Sequence, residues 1–95
     1  MTSYLKLAWH HDFNDEPTWF YSELDESRYE TRKVEVFRDG RRFFADSQSS
    51  TGNAMLGEIP APSLEELEAA VEFTAVEIAR EEFESEWDAA HARSS

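Results

Sequence analysis

The chain has 95 residues, no cysteine and a formal net charge of −12, from 21 Asp and Glu against nine Lys and Arg. This length allows one domain, residues 1–95, and the lack of cysteine excludes disulfides, thiolate zinc sites and cysteine nucleophiles. The negative charge disfavours nucleic acid and anionic membranes as partners and favours a basic protein.

The charge is unevenly distributed along the chain. Residues 47–95 contain eleven Asp or Glu against two Arg, whereas residues 31–46 contain five Lys or Arg against three Asp or Glu. Aromatic residues make up 14% of the chain, which is enough apolar surface to offset chain entropy despite the charge. We therefore expect a folded domain. The sequence shows no export signal and no segment of the ~20 apolar residues that a membrane span needs, so we expect it to be cytoplasmic.

The first part of the chain predicts three strands separated by two turns. Residues 4–10, 18–24 and 29–38 are rich in aromatic and β-branched side chains, and the third segment alternates most clearly. The turns fall at residues 14–17 and 25–27, where Asn, Asp and Pro favour chain reversal. On the third strand, one face is expected to carry Glu30, Arg32, Val34, Val36 and Arg38.

A hairpin is predicted at Asp39-Gly40, which lies between two β-prone segments. We expect a type I′ turn there, with positive φ at both central residues. The return strand covers residues 42–46 and is followed by a polar loop at residues 47–53. Residues 57–62 contain two prolines and are expected to be extended.

A helix is predicted from residue 64 to about residue 70. Ser63 and Glu66 have the spacing of a capping box, in which each side chain binds the other residue's backbone amide. The sequence that follows has two interpretations. Residues 64–87 nearly fit one long helical stripe, yet residues 73–78 also alternate as a strand would, with a helix from about 80 to 91 after them.

These elements predict an α+β fold, an antiparallel sheet of four or five strands with one or two C-terminal helices on one face. Apolar side chains at the alternating and helical positions form the expected core. They are Leu5, Leu7, Phe20, Leu24, Val34, Val36, Leu64, Leu67, Ile78, Phe83 and Trp87.

Several segments resemble a family of small bacterial proteins of unknown function. They are residues 21–25 (Tyr-Ser-Glu-Leu-Asp), 28–30 (Arg-Tyr-Glu), 32–41 (Arg-Lys-Val-Glu-Val-Phe-Arg-Asp-Gly-Arg), 56–60 and 77–87. The resemblance covers nearly the whole chain. It implies a strand followed by a helix in the last quarter, and it supplies no activity.

The sequence offers little support for catalysis or for a metal. Residues 10–12 (His-His-Asp) are a cluster of metal-capable side chains, but their spacing matches no established metal motif. We also find no nucleophile elbow, phosphate-binding loop or dinucleotide fingerprint. We therefore expect no metal, no cofactor and no enzymatic activity.

The first functional hypothesis is a small acidic protein-binding module, most concretely an immunity-type inhibitor of a basic toxin such as a nuclease. Acidic groups would speed and orient the encounter, and aromatic side chains would supply most of the affinity. The expected anchors are Trp19 and Tyr21. The expected acidic contacts are Asp12, Asp15, Glu16, Glu23, Asp25 and Glu26.

Two alternatives belong to other functional classes. The chain could be a small-molecule-binding or catalytic domain with a charged pocket on the sheet, or an adaptor whose acidic helices mimic nucleic acid. The expected lining of the charged pocket is Glu23, Glu30, Arg32 and Arg38.

Overall fold

A computed structural model describes residues 2–52 and 54–94. The described chain forms one five-stranded antiparallel sheet and two helices, which confirms the α+β fold. In chain order the elements are β1 (Ser3–Trp9), β2 (Trp19–Leu24), β3 (Glu30–Val36), β4 (Arg42–Asp46), α1 (Leu64–Glu68), β5 (Phe73–Glu77) and α2 (Arg80–Ser94).

The strand order in the sheet is β4-β3-β2-β1-β5. The first four strands form a meander, and β5 returns to pair with β1. Two backbone bonds extend this last ladder, from the Ile78 amide to the Tyr4 carbonyl at 3.0 Å and from the His10 amide to the Glu72 carbonyl at 2.7 Å. The last quarter of the chain is therefore a strand followed by a helix, and the single long helix is excluded.

The α2 helix covers one face of the sheet. Phe83 is fully buried there against Tyr21, Val34 and Phe44, and Trp87 packs at the edge of this cluster. This confirms the expected burial of Val34 and Phe83. The contact of Phe83 with β2, β3 and β4 side chains fixes α2 across three strands, because burying a Phe side chain contributes roughly 1.5–3 kcal/mol.

The opposite face of the sheet has a second, smaller core. Leu5, Leu24 and Ala75 are buried there, and Leu64 and Leu67 of α1 pack against them. The predicted capping box starts α1: the Glu66 amide donates to Ser63 Oγ at 3.2 Å, and the Ser63 amide donates to the Glu66 carboxylate at 3.3 Å. The two helices therefore lie on opposite faces of the sheet.

The turn between β3 and β4 differs from the predicted type I′ turn. Among the described non-glycine residues, the one with positive φ is Arg28, so Asp39 does not adopt the required conformation, whereas Gly40 has φ +93°. The Gly40 amide donates to the Phe37 carbonyl at 2.9 Å, and the Phe37 amide donates to the Arg41 carbonyl at 2.8 Å. This is a three-residue loop with glycine at its left-handed position, the alternative that also uses an Asp-Gly sequence.

The predicted face of Glu30 is wrong, because β3 contains a β-bulge. Glu23 pairs with Arg32, but the next residue, Leu24, pairs with Glu30, which leaves Thr31 as an extra residue. Side chains before a bulge change face relative to those after it, because the alternation has period two. Glu30 therefore leaves the α2 face, where Arg32 and Val34 remain, and turns to the opposite face.

Candidate functional site

A cavity of about 370 Å³ opens on the sheet face opposite α2; we call it the sheet pocket. Its floor is formed by Leu5 and Leu7 of β1 and Phe20 of β2. Its outer wall belongs to a segment without helix or strand, residues 54–62, which we call the strap. Residues 57 and 59–62 of the strap line the cavity, together with Leu67 of α1. Alternation of β1 and β2 places these apolar side chains on the face that α2 leaves free.

Arg28 holds the strap against the sheet. Its φ of +68° lies in the left-handed region, which is uncommon for a residue with a side chain. The guanidinium donates to the Ala61 carbonyl at 3.1 Å and to the Pro62 carbonyl at 2.6 Å, and the Arg28 carbonyl accepts from the Ala61 amide at 2.7 Å. Proline has no amide hydrogen, so the strap can donate few backbone hydrogen bonds to a neighbouring strand. Side-chain donors such as Arg28 hold it in place instead.

Charged and polar side chains form one end of the sheet pocket. The Glu30 carboxylate accepts from Ser22 Oγ at 2.9 Å and from the Gly57 amide at 2.6 Å. Lys33 Nζ lies 3.4 Å from the same carboxylate and donates to the Met55 carbonyl at 3.0 Å. The bulge in β3 is what brings Glu30 here, and both charged side chains tie the strap to the sheet.

A second carboxylate lies beside this end of the sheet pocket. Glu35 is only 12% exposed, and its carboxylate is 4.0 Å from Lys33 Nζ. The cross-strand neighbours of Glu35 are Phe20 and Phe43, which offer it no hydrogen bond. Burial raises the pKa of the Glu35 carboxyl, and Lys33 opposes that effect.

Aromatic rings form the other end of the sheet pocket. The Trp9 ring centroid is 6.3 Å from those of Phe13, Phe20 and Phe73. Phe13 is 61% exposed and belongs to the loop between β1 and β2. His11 shapes this loop, since its ring bonds the Pro17 carbonyl at 2.8 Å and accepts from the Phe13 amide at 2.9 Å.

The predicted partner-binding residues do not lie on one surface. Asp12, Asp15 and Glu16 are exposed in the loop before β2, whereas Asp25 and Glu26 follow β2, roughly 20 Å away along the strand. Tyr21 is buried under α2, and Trp19 is 38% exposed with Lys6 Nζ 4.7 Å from its ring centroid. Asp25 caps its own turn by accepting from two backbone amides.

The four residues predicted to line a charged pocket are likewise divided. Glu23 and Arg32 lie together on the α2 face, with Arg32 Nε 2.9 Å from Glu23 Oε1. Glu30 lies on the other face because of the bulge. Arg38 donates to the His11 carbonyl in the loop between β1 and β2. The Glu23–Arg32 pair binds α2 through Glu84 and belongs to the packing of the helix.

Lys33 lines the sheet pocket and Glu35 lies next to Lys33, and the sequence points to neither as a site residue. Both alternate in β3 with Val34 and Val36 and so lie on the face opposite α2, whereas the predicted fold has helices on one face only. The one local signal was the pair of prolines at residues 60 and 62, which predicted an extended segment of unknown position. Its docking over β1 and β2 depends on Arg28 and Glu30, which are 33 and 27 residues away from their contacts.

The side chains of His10 and His11 make hydrogen bonds within the fold. His10 bonds Thr74 Oγ1 at 2.8 Å, and His11 is held by the loop contacts described above. Among residues 2–52 and 54–94, no group of three His, Asp or Glu side chains is arranged to hold a metal ion. In that same part of the chain, neither helix has the length and apolar character needed to cross a membrane.

Comparison with known proteins identifies the family. No curated protein and no solved structure matches this chain. One family model matches residues 3–92, and its description is a domain of unknown function, DUF6881. This agrees with the resemblance to a small uncharacterised family. The match spans the sheet, the strap, α1 and most of α2, and so the chain belongs to the DUF6881 family.

Proposed function

We propose that this protein is a small ligand-binding module and that the sheet pocket is its binding site. In this proposal the protein acts by binding and not by catalysis. The observation that carries the proposal is the sheet pocket itself, a concave site of about 370 Å³ with apolar walls and one charged end. Sites for small molecules usually have this character and a volume of roughly 300–1,000 Å³.

The composition of the walls supports this proposal. Trp9, Phe20 and Phe73 offer ring faces, and Leu5 and Leu7 offer aliphatic surface. A ligand would bury its apolar body against these side chains, at about 25 cal/mol per Å² of apolar surface removed from water. The polar end would then determine its orientation, as the few polar groups in such sites commonly do.

The site can be tested by filling it. Ala61 faces the sheet pocket from the strap, so Ala61→Phe should occupy much of its volume. A screen of small aromatic compounds by two-dimensional amide NMR should give binders that shift the Ser22 and Gly57 signals. Binding should be lost in Ala61→Phe and kept in Ala69→Phe, a matched change at an exposed position that follows the last residue of α1. Unaltered binding to folded Ala61→Phe would contradict the proposal.

A second candidate function is binding of a basic protein, including the immunity-type inhibition of a toxin in the cytoplasm. The specific observation in its favour is the loop between β1 and β2. Phe13 is 61% exposed there, with Asp12, Asp15 and Glu16 exposed around it. An apolar anchor within a rim of one charge sign is a common arrangement at interfaces.

This second candidate has its own test. A basic partner should be retained by the protein at low salt and released at high salt, because its charges are screened. Phe13→Ala and Asp15→Lys should each weaken retention, whereas Glu81→Lys, an exposed change on α2, should not. Equal retention by all three variants would exclude the loop as the contact surface.

A further inference from the structure

We infer that the ligand of the sheet pocket is an amphipathic cation, a molecule with an apolar body and a protonated amine. This inference rests on the proposed function and specifies the chemistry of its ligand. It follows from the charges at the polar end of the sheet pocket, from the hydrogen-bonding capacity left there and from the aromatic walls.

Negative charge exceeds positive charge around the charged end of the sheet pocket. Glu30 and Lys33 line the sheet pocket there, and Glu35, which lies outside its lining, has its carboxylate 4.0 Å from Lys33 Nζ. The formal sum of these three groups is −1, within a protein whose net charge is −12. A pocket with low-dielectric walls concentrates such a field, so a cation is attracted into it and an anion is repelled.

The hydrogen-bonding capacity at this end also favours a donor. The ammonium of Lys33 has three protons, and its surroundings already include the Glu30 carboxylate at 3.4 Å, the Glu35 carboxylate at 4.0 Å and the Met55 carbonyl at 3.0 Å. An anionic ligand would have to compete with these groups for Lys33. The Glu30 carboxylate has about four lone-pair positions, of which Ser22 Oγ and the Gly57 amide use two.

Glu35 adds negative charge next to this end of the sheet pocket, although it does not line it. Its carboxylate is 12% exposed, lies between two Phe neighbours and has one cationic neighbour, Lys33, at 4.0 Å. Burial raises the pKa of this carboxyl, which means that its charge is incompletely compensated in the unliganded protein. A ligand ammonium at this end of the sheet pocket would add compensation.

The aromatic walls suit a cation as well. The faces of aromatic rings carry partial negative charge and attract ammonium groups within about 6 Å. Lys33 Nζ already lies 5.6 Å from the Phe20 ring centroid, so this ring faces a positive group in the protein itself. Trp9 and Phe73 extend the aromatic surface along the sheet pocket.

The test uses three probes with one carbon skeleton: 4-phenylbutylamine, 4-phenylbutanol and 4-phenylbutyrate. Each is titrated into the protein while the amide NMR signals of Phe20, Ser22 and Gly57 are followed. We expect the amine to bind at least about tenfold more tightly than the alcohol, because a hydrogen bond between charged groups contributes more than a neutral one. The butyrate should bind most weakly.

A charge-removing variant tests the origin of the preference. Glu35→Gln keeps the shape of the side chain and should weaken binding of the amine by roughly threefold to tenfold without changing that of the alcohol. Glu81→Gln removes one exposed carboxylate from α2 and serves as the matched control. The control should leave the affinity for the amine within about twofold, since its charge is screened by solvent.

The outcomes distinguish a failure of this inference from a failure of the proposed function. If the alcohol or the butyrate binds as tightly as the amine at the sheet pocket, the ligand is not selected for positive charge, and the inference is wrong while the proposed function stands. If the amine shifts signals on α2 and not those of Ser22 and Gly57, the inference is also wrong. If none of the three probes shifts the NMR signals of the sheet pocket, and the screen of small aromatic compounds also yields no binder, both the inference and the proposed function are wrong.

Discussion

Arg32 of β3 and Glu84 of α2 form a two-point ion pair, with Nη1 3.0 Å from Oε1 and Nη2 2.8 Å from Oε2. The guanidinium also binds Glu23 and lies 4.9 Å from the Phe83 ring centroid and 5.0 Å from that of Trp87. This arrangement fixes the rotation of α2 on the sheet, because a planar guanidinium accepts carboxylates in only a few geometries.

The first prediction concerns the contribution of this pair to stability. Glu84→Gln should lower the free energy of unfolding by about 0.5–1 kcal/mol, since the pair is partly exposed and Arg32 keeps Glu23 as a partner. Urea denaturation measures this value. Glu81→Gln, an exposed change one helical turn away, should alter it by less than about 0.3 kcal/mol, and equal losses in both variants would contradict the assignment.

The second prediction concerns the pH dependence of the same pair. Hydrogen bonds from Arg32 hold the pKa of Glu84 and that of Glu23 below their ordinary range. The folded state therefore binds fewer protons than the unfolded state, and the stabilisation is complete above the unfolded value of about 4.3 and is lost as pH falls through the folded pKa. The stability difference between the protein and Glu84→Gln should be constant from pH 7 to pH 5. It should shrink below about pH 4, and a constant difference down to pH 3 would exclude this explanation.

The third prediction has the opposite sign and concerns Glu35. Burial raises the pKa of this carboxyl, so the folded state binds more protons than the unfolded state and stability decreases as pH rises from about 4.3 through the folded pKa. Glu35→Gln should therefore stabilise the protein at pH 7, on the order of 0.5 kcal/mol, because Lys33 offsets part of the desolvation cost. At pH 3 the gain should vanish. Thermal unfolding at the two pH values measures it, and destabilisation at pH 7 would show that the contact with Lys33 dominates.

The fourth prediction concerns the hairpin glycine. Gly40 has φ +93°, and a Cβ atom added there would meet nothing within 4 Å. Any cost of Gly40→Ala is therefore a cost of backbone conformation, about 1 kcal/mol of unfolding free energy. Gly40→Asn should cost less, since Asn tolerates left-handed conformations better than Ala. Equal costs for Ala and Asn would indicate a side-chain effect that the open surroundings do not suggest.

Much of the secondary structure could be predicted from local pattern. The return strand at residues 42–46 was predicted with the observed bounds, and the clearest strand, predicted at residues 29–38, covers Glu30–Val36. The capping box at Ser63 correctly marked the start of α1. Alternation and capping depend on residues fewer than five positions apart, so they can be read along the chain. Residues 73–78 could not be decided in this way, because their strand exists only through pairing with β1.

The candidate site depended on relationships that local patterns do not contain. Alternation placed Glu30 with Arg32, and the bulge, which arises where β2 and β3 pair, separated them. The sheet pocket required Arg28 and Glu30 to hold the strap over β1 and β2. The sequence predicted one contact surface for the acidic residues before and after β2. The sheet places these two groups at opposite ends of that strand.

The sequence by itself determined the charge, the absence of thiol chemistry, the fold class and the position of most strands, because these follow from composition and from periodicities of a few residues. The tertiary structure alone decided the strand order, the face of Glu30 and the existence of the sheet pocket. The face of Glu30 depends on how β2 and β3 pair, and the strand order and the sheet pocket also need contacts between residues 27 to 74 positions apart, in the docking of the strap and the pairing of β1 with β5. Such contacts form when a whole element finds its partner, so their energy belongs to the packed assembly and leaves no local pattern in the chain.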